Sequence, residues 1–474
     1  MSPSMARTGT WRCLGVSATV LLTSSLPAAA HGLGQRYELP VPLGFYLTGA
    51  GLAVGVSFVL MAWFMRRNSP PASRTVELDG RVVSGPAFSW ALRLLALAVF
   101  VLLIVIGLFG PQQSFKNITP IAVWVLWWVG FAYLTAFVGN LWPLVNPWAT
   151  VYDLVRRGRP PARPIVAYRA RWGTVPAVLL LAIFVAMELA WRQSEIPRPL
   201  ALAMLGYSAL TWAGMAVFGR DEWLGRAELF SVYFKVLGRF APLTVRSNPH
   251  PRLVARAFAV GLLVEQPVPP TKTVFVLLML AAVTFDGLIE TPLWSALLHA
   301  IHDEVGAVPE EPVAAIAWGV FAALFALLYA GVASAMAWLA GATPSRRGVA
   351  GWFVLTFVPI GIAYHLAHYH SLLLVAGQYA IPILSDPFGC GWDLFGTTLY
   401  RVDFSVVNAA SIWYLSVGAI VVGHMVAVYL AHVMALRVYG DPRTALRSQI
   451  PMLVLMVLYT MSSLWILSQP VVKT

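Results

Sequence analysis

Several ionisable side chains fall inside apolar stretches of this 474-residue chain, where such groups are costly and tend to mark function. Asp286 and Glu290 are four residues apart and so share one face of a helix. His365 and His368 are three residues apart and share a face of a second helix. A third apolar stretch carries His424. These residue types are the ones that bind metal ions and move protons.

Two histidines and one carboxylate with an open position form a zinc-type hydrolytic site, because the metal acidifies a bound water while three ligands hold it. The spacing therefore predicts a divalent metal ion, zinc or copper, held by His365, His368 and either Asp286 or Glu290. The remaining carboxylate or His424 would then orient the water. The structural alternative is that the carboxylates pair with histidines or backbone groups, and that His424 bonds across helices.

A cleavage motif precedes a further potential ligand, His31. Arg7 and Arg12 come before an apolar run at 14–26, and the triplet at 28–30 is all alanine, as in a secretory signal peptide. We expect residues 1–30 to be removed, which leaves 31–474 as one membrane domain. The freed α-amino group and imidazole of His31 form a copper-chelating pair, unless the cleavage site precedes a histidine by coincidence.

Apolar runs of about 20 residues are long enough to cross a bilayer as helices. The sequence predicts an all-α polytopic bundle of about ten such spans after the signal peptide. The predicted spans are 42–65, 94–110, 119–139, 174–191, 199–218, 273–291, 313–340, 350–376, 405–435 and 450–468.

Arginine is concentrated in alternate loops, at 66–81, 156–171, 220–256, 346–347 and 437–447. Loops rich in Lys and Arg face the cytoplasm, so we expect a bacterial inner-membrane protein with its mature N-terminus outside. The loop predicted at 295–312 then lies outside and is acidic, with His299 and His302 placed to guide a cation or simply exposed.

Three segments between the spans have distinctive composition. The segment 140–148 has two prolines and two tryptophans, which favours an interfacial or re-entrant turn. The segment 229–243 is amphipathic, and we expect it to lie on the membrane surface. The segment 385–396 is dense in Gly, Pro and aromatic residues, which suits an ordered cap.

Composition excludes several classes of protein. Hydrophobic residues make up 59% of the chain and charged residues only 11%, against roughly 25% charged residues in soluble domains. The net charge of +12 lies in loops beside apolar spans, where it sets orientation, so we expect a lipid bilayer as partner and no nucleic acid. Two cysteines, one of them in the predicted signal peptide, exclude a thiolate metal cluster in the mature chain. The motifs G-x-S-x-G and H-E-x-x-H and a Walker loop are all absent from the sequence.

Four stretches resemble the bacterial polytopic membrane proteins named fenitrothion hydrolase: 31–40, 139–148, 230–242 and 386–396. The resemblance covers nearly the whole chain. It implies a membrane-bound enzyme, a phosphoric triester hydrolase, that acts on neutral organophosphorus triesters and works with a second membrane or secreted subunit. An apolar triester partitions into lipid, so a metal-bound hydroxide inside the bundle would reach it without a water-filled cleft.

The alternative is a transport or metal-handling protein for copper or zinc, since histidines follow one another from outside toward inside, as a cation or proton path requires. Such a path needs polar groups at several depths, whereas a hydrolase needs them at one. A third class is a structural subunit that anchors a secreted partner.

Overall fold

The structure of this protein is a computed structural model that describes residues 37–64, 75–78, 85–157, 163–246, 252–341 and 346–471. The predicted signal peptide at 1–30 and His31 lie outside the described residues.

The described chain is mostly helical, with very little strand. In chain order its longer helices are α1 Leu43–Phe64, α2 Pro86–Phe109, α3 Ile118–Phe137, α4 Trp142–Val145, α5 Pro147–Arg156, α6 Val175–Leu189, α7 Pro197–Phe218, α8 Leu229–Leu237, α9 Pro270–Ile289, α10 Pro292–Val305, α11 Glu310–Leu339, α12 Arg346–Phe353, α13 Val358–Ala376, α14 Ala380–Ser385, α15 Ala409–Tyr439 and α16 Pro442–Val471.

Ten segments of the described chain are long and apolar enough to cross a membrane. They are α1, α2, α3, α6, α7, α9, α11, the run from α12 to α14, α15 and α16. This confirms the predicted all-α bundle and its ten spans. Two helices begin about two turns earlier than predicted, at Pro86 and Pro442. The prediction began each span after its charged residues, whereas the helical backbone continues through Arg93 and Arg443.

Three short strands form a small antiparallel sheet at one end of the bundle, in the order β1 Val76–Leu78, β3 Arg252–Ala255, β2 Leu243–Arg246. Val76 and Leu243 both pair with Ala255. Because β1 links α1 to α2 and the other two strands lie between α8 and α9, the sheet ties together two distant linkers. We call this end of the bundle the sheet end and the opposite end the far end.

The segment 140–148 forms two short helices whose tryptophans point into the protein. Asn146 caps α5 by accepting a hydrogen bond from the Ala149 amide at 3.0 Å. Trp142 and Trp148 are both buried. Each indole donates to a serine hydroxyl on another helix, Trp142 to Ser231 at 3.2 Å and Trp148 to Ser208 at 2.8 Å. These tryptophans therefore anchor helices inside the bundle.

Helix α8 corrects the expectation that the segment 229–243 lies on the membrane surface. Seven of its nine residues are buried, and Lys235 is the exposed one. Its first turn is capped by Glu228, whose carboxylate accepts from the amides of Phe230 and Ser231 at 2.8 and 2.7 Å and from the Tyr207 hydroxyl at 2.6 Å. The aromatic residues of α8 pack against α3 instead, with Phe230 at 4.5 Å from the Trp127 ring.

The far end carries the predicted cap. Asp386 accepts hydrogen bonds from the amides of Cys390 and Gly391, both at 2.8 Å. The Ser385 hydroxyl bonds that of Thr397 at 2.7 Å, so this segment is ordered by its own polar groups. The stretch predicted as a loop at 295–312 contains most of helix α10, on which His299 and His302 lie.

Helices α9, α13 and α15 are the most buried of the spans and form the centre of the bundle. Close approach of α13 and α15 depends on Gly423. A Cβ atom at this position would lie 2.3 Å from Ala363 Cβ and 2.9 Å from the Pro359 carbonyl oxygen. Gly418, on the same helix, has open space around it.

We expect Gly423→Ala to force these two helices apart and to lower the free energy of unfolding by about 1–3 kcal/mol, the usual cost of overpacking. Thermal unfolding of the purified protein in detergent measures this. Gly418→Ala is the matched control and should leave the melting temperature nearly unchanged. Equal melting temperatures for the two variants would contradict the close approach.

Candidate functional site

Asp286 is the centre of a buried polar cluster. It lies near the end of α9 and is 8% exposed. Its Oδ2 accepts a hydrogen bond from His368 Nε2 at 2.9 Å and a second from the Tyr369 hydroxyl. Both donors come from α13, because adjacent residues 100° apart on one helix can both reach a single partner between them. Two of the residues singled out from the sequence, Asp286 and His368, are thus in direct contact.

Glu188 is a second carboxyl group in this cluster. It lies on α6 and interacts with Trp128 and, electrostatically, with Asp286. It also interacts electrostatically with Tyr233 and Tyr369. Trp128 lies in a stretch of π-helix at Ile121–Phe131 within α3, a geometry found often at functional sites. Four spans, α3, α6, α9 and α13, therefore meet around two acids.

Sequence reasoning missed Glu188, although its signal was present. It is an acidic residue inside an apolar run predicted to span the membrane, which is itself a sign of function. The spacing rule applies to two carboxylates on one helix. In the structure the carboxylate that interacts electrostatically with Asp286 comes from a different helix, α6.

His365 lies one turn before His368 and has a different environment. Its ring is 5% exposed and packs edge-on against Tyr133 and Tyr369, with centroids 5.3 and 4.7 Å apart. Neither Nδ1 nor Nε2 has a hydrogen-bond partner among the described residues. His365 is also one of the residues that line a pocket of about 30 Å³ between α3, α8, α9 and α13.

His424 lies on α15 and is fully buried. Its Nδ1 bonds the Ile420 carbonyl at 2.8 Å, while its Nε2 has no hydrogen-bond partner among the described residues. Its ring packs against Tyr459, whose hydroxyl bonds that of Thr284 at 2.6 Å. His424 is thus connected through Tyr459 of α16 to α9, the helix that carries Asp286, but Thr284 and Asp286 are two residues apart and lie on different faces of it.

Two further residues lie close to this arrangement. The Tyr364 hydroxyl is buried without a hydrogen-bond partner in the described part of the chain, next to Gly287, where a Cβ atom would lie 2.7 Å from it. Toward the sheet end, His432 Nδ1 lies 3.2 Å from the side-chain amide nitrogen of Gln449. Titratable groups thus extend beyond the Asp286 cluster.

Glu290 is placed differently from Asp286. It is the capping residue that follows Ile289, the last residue of α9, and it is exposed, whereas Asp286 is buried one turn earlier. The helical face that the spacing predicted for both carboxylates stops at Ile289.

The predicted metal site needs three protein ligands around one point. No group of three or more His, Cys, Asp or Glu side chains in the described ranges is arranged to hold a metal ion. Asp286 and His368 bond each other, and both His365 nitrogens are unpartnered within those ranges. The described residues therefore do not form the predicted triad, and we derive no chemical step through a metal.

No family model, curated protein or solved structure matches this chain. The resemblance to fenitrothion hydrolases and the activity it implies thus stay predictions.

Proposed function

We propose that this protein is a cation transporter and that the cation it carries is the proton. In this proposal protons cross the bundle by way of Asp286. The observation that carries it is the buried Asp286 carboxylate, which is hydrogen-bonded to His368 and Tyr369 and interacts electrostatically with a second carboxyl group, Glu188.

The arrangement favours proton exchange for an electrostatic reason. Burying one carboxylate in an apolar bundle is unfavourable, and burying two near each other is more so, because their charges repel. A proton shared between Glu188 and Asp286 removes that repulsion. His368 and Tyr369 then stabilise whichever charge remains, since both can donate a hydrogen bond to a carboxylate.

Titratable groups occur at more than one depth. Asp286 is sixteen residues beyond Pro270, the start of α9, or about 24 Å from the sheet end at roughly 1.5 Å per residue. His432 is seven residues before the end of α15, or about 10 Å from the sheet end. This spread supports transport over a hydrolase, which needs its polar groups at a single depth.

Orientation follows from the arginines in the linkers at the sheet end. We propose that this end faces the cytoplasm of a bacterial cell, that the bundle lies in the inner membrane, and that the mature N-terminus is outside. Protons would then reach Asp286 either from the far end or past His432.

Hydrolysis of an apolar phosphotriester is the second candidate. The observation that favours it is the Asp286 and His368 pair, since a buried carboxylate that orients a histidine is also the arrangement of a general base. The zinc or copper ion of the sequence prediction stays part of this candidate, and elemental analysis of the purified protein tests for it.

One preparation separates the two candidates. The protein is reconstituted into vesicles that enclose a pH-sensitive dye, and a potassium diffusion potential is applied. We expect an inward proton flux well above that of protein-free vesicles. The same vesicles are then given a neutral aryl phosphotriester, and release of the coloured aryl alcohol is followed. Hydrolysis without proton flux would overturn the transport proposal.

A further inference from the structure

The pocket beside His365 combines apolar walls with one unsatisfied polar side chain. A neutral imidazole carries one hydrogen-bond donor and one acceptor. In His365 both are buried without a partner in the described chain, which is rare for a buried polar group. A water molecule both donates and accepts hydrogen bonds, so it is able to satisfy such a ring. The pocket is lined by Ala132, Tyr133, Ala136, Tyr233, Leu237, Val276, Met279, Leu280, Val283, Val358, Gly361, Ile362 and His365.

The size of the pocket limits its occupant. Its volume is about 30 Å³, and a cavity needs roughly 10–15 Å³ to hold a single water. About two water molecules fit, and a drug-sized organic molecule does not. Cavities with purely apolar walls stay dry, but a cavity that offers polar partners holds water. His365 and the two tyrosines Tyr133 and Tyr233 make this pocket one of the second kind.

The position of the pocket connects it with the Asp286 cluster. His365 packs against Tyr369, which donates a hydrogen bond to Asp286. From His365 the lining runs toward the sheet end, to Val358 at the start of α13 and Val276 six residues into α9. The pocket therefore lies on the sheet-end side of the cluster.

We propose that this pocket is a water-binding site in which His365 holds the water, and that it gives the Asp286 cluster access to water from the sheet end. The water site stands on the pocket and on the unpartnered ring. Its use as the route of protons rests on the proposed function.

Accessibility of single cysteines to Ag⁺, a small hydrated cation, tests both statements. In a background with Cys13→Ser and Cys390→Ser, Ala136→Cys places a thiol in the pocket wall. Ala281→Cys is the matched control, because Ala281 is fully buried but does not line the pocket. Val245→Cys reports the sheet end, where residue 245 is exposed on β2. Ag⁺ is added to one side of sealed vesicles, and the thiols left are labelled after denaturation.

We expect Ala136→Cys to react at least ten times faster than Ala281→Cys, and from the side on which Val245→Cys reacts. Equal rates would show that the pocket is dry and would overturn the proposal. Reaction from the opposite side alone would overturn the direction of access. If Ala136→Cys does not elute as a folded protein, Met279→Cys replaces it in the same wall.

The Ag⁺ experiment and the proton-flux experiment can fail independently of each other. A wet pocket in vesicles that pass no protons leaves the water site standing and refutes proton transport. Proton flux with a dry pocket leaves transport standing and refutes the route.

Discussion

Asp286→Asn should lower the proton flux of reconstituted vesicles by about 100-fold, the lower range for loss of a positioned acid or base. Asparagine has nearly the same shape as aspartate, and its side-chain oxygen still accepts hydrogen bonds from His368 and Tyr369. The substitution removes the exchangeable proton and leaves the packing of α9 against α13 in place. The loss should therefore be one of function.

Two control measurements accompany this prediction. The melting temperature of Asp286→Asn in detergent should stay close to that of the parent protein, which excludes misfolding as the cause. Asp303→Asn removes an exposed acid from α10, the helix that follows α9, and should leave flux unchanged. Full flux through Asp286→Asn vesicles would show that protons do not pass this carboxyl group.

The ten spans could be predicted because a run of about 20 apolar residues has few alternatives in a bilayer. The sequence also allowed a contact between Asp286 and His368, on the condition that their two helices pack together, which they do. Helical periodicity does not show which other helix packs against a given face. Glu188 joins the cluster from α6, about a hundred residues away in sequence, and no spacing rule connects it with Asp286.

The incorrect expectation for α8 has a related cause. An amphipathic pattern indicates one apolar face, and a membrane surface and a bundle interior both accept such a face. The deciding feature is Glu228. Its carboxylate caps α8 and accepts a hydrogen bond from the Tyr207 hydroxyl of α7. A long-range hydrogen bond of this kind is not visible in a local pattern. Glu290 shows the same limit: the end of this span was predicted within two residues of Ile289, but periodicity did not predict that Glu290 is exposed while Asp286 is buried.

Substitution of Glu188 is the second test with a large expected effect. It distinguishes proton exchange between two carboxyl groups from exchange at Asp286 alone. If the proton is shared between two carboxyl groups, Glu188→Gln leaves Asp286 without its exchange partner, and we expect proton flux to fall by at least about 10-fold. Infrared difference spectra recorded across a pH step should also lose one carboxyl C=O band. Glu195→Gln is the matched control, since this acid follows the same helix but is exposed.

Trp128→Phe is a milder change at the same place, because it keeps an aromatic ring but removes the indole N–H that interacts with Glu188. Its flux should lie between those of the parent and Glu188→Gln, since the carboxyl group remains but is less well held. If Glu188→Gln vesicles keep full flux and both carboxyl bands persist, then Asp286 works without a partner acid. The exchange site would then consist of Asp286, His368 and Tyr369 alone, and the approach of α6 to α9 would serve packing only.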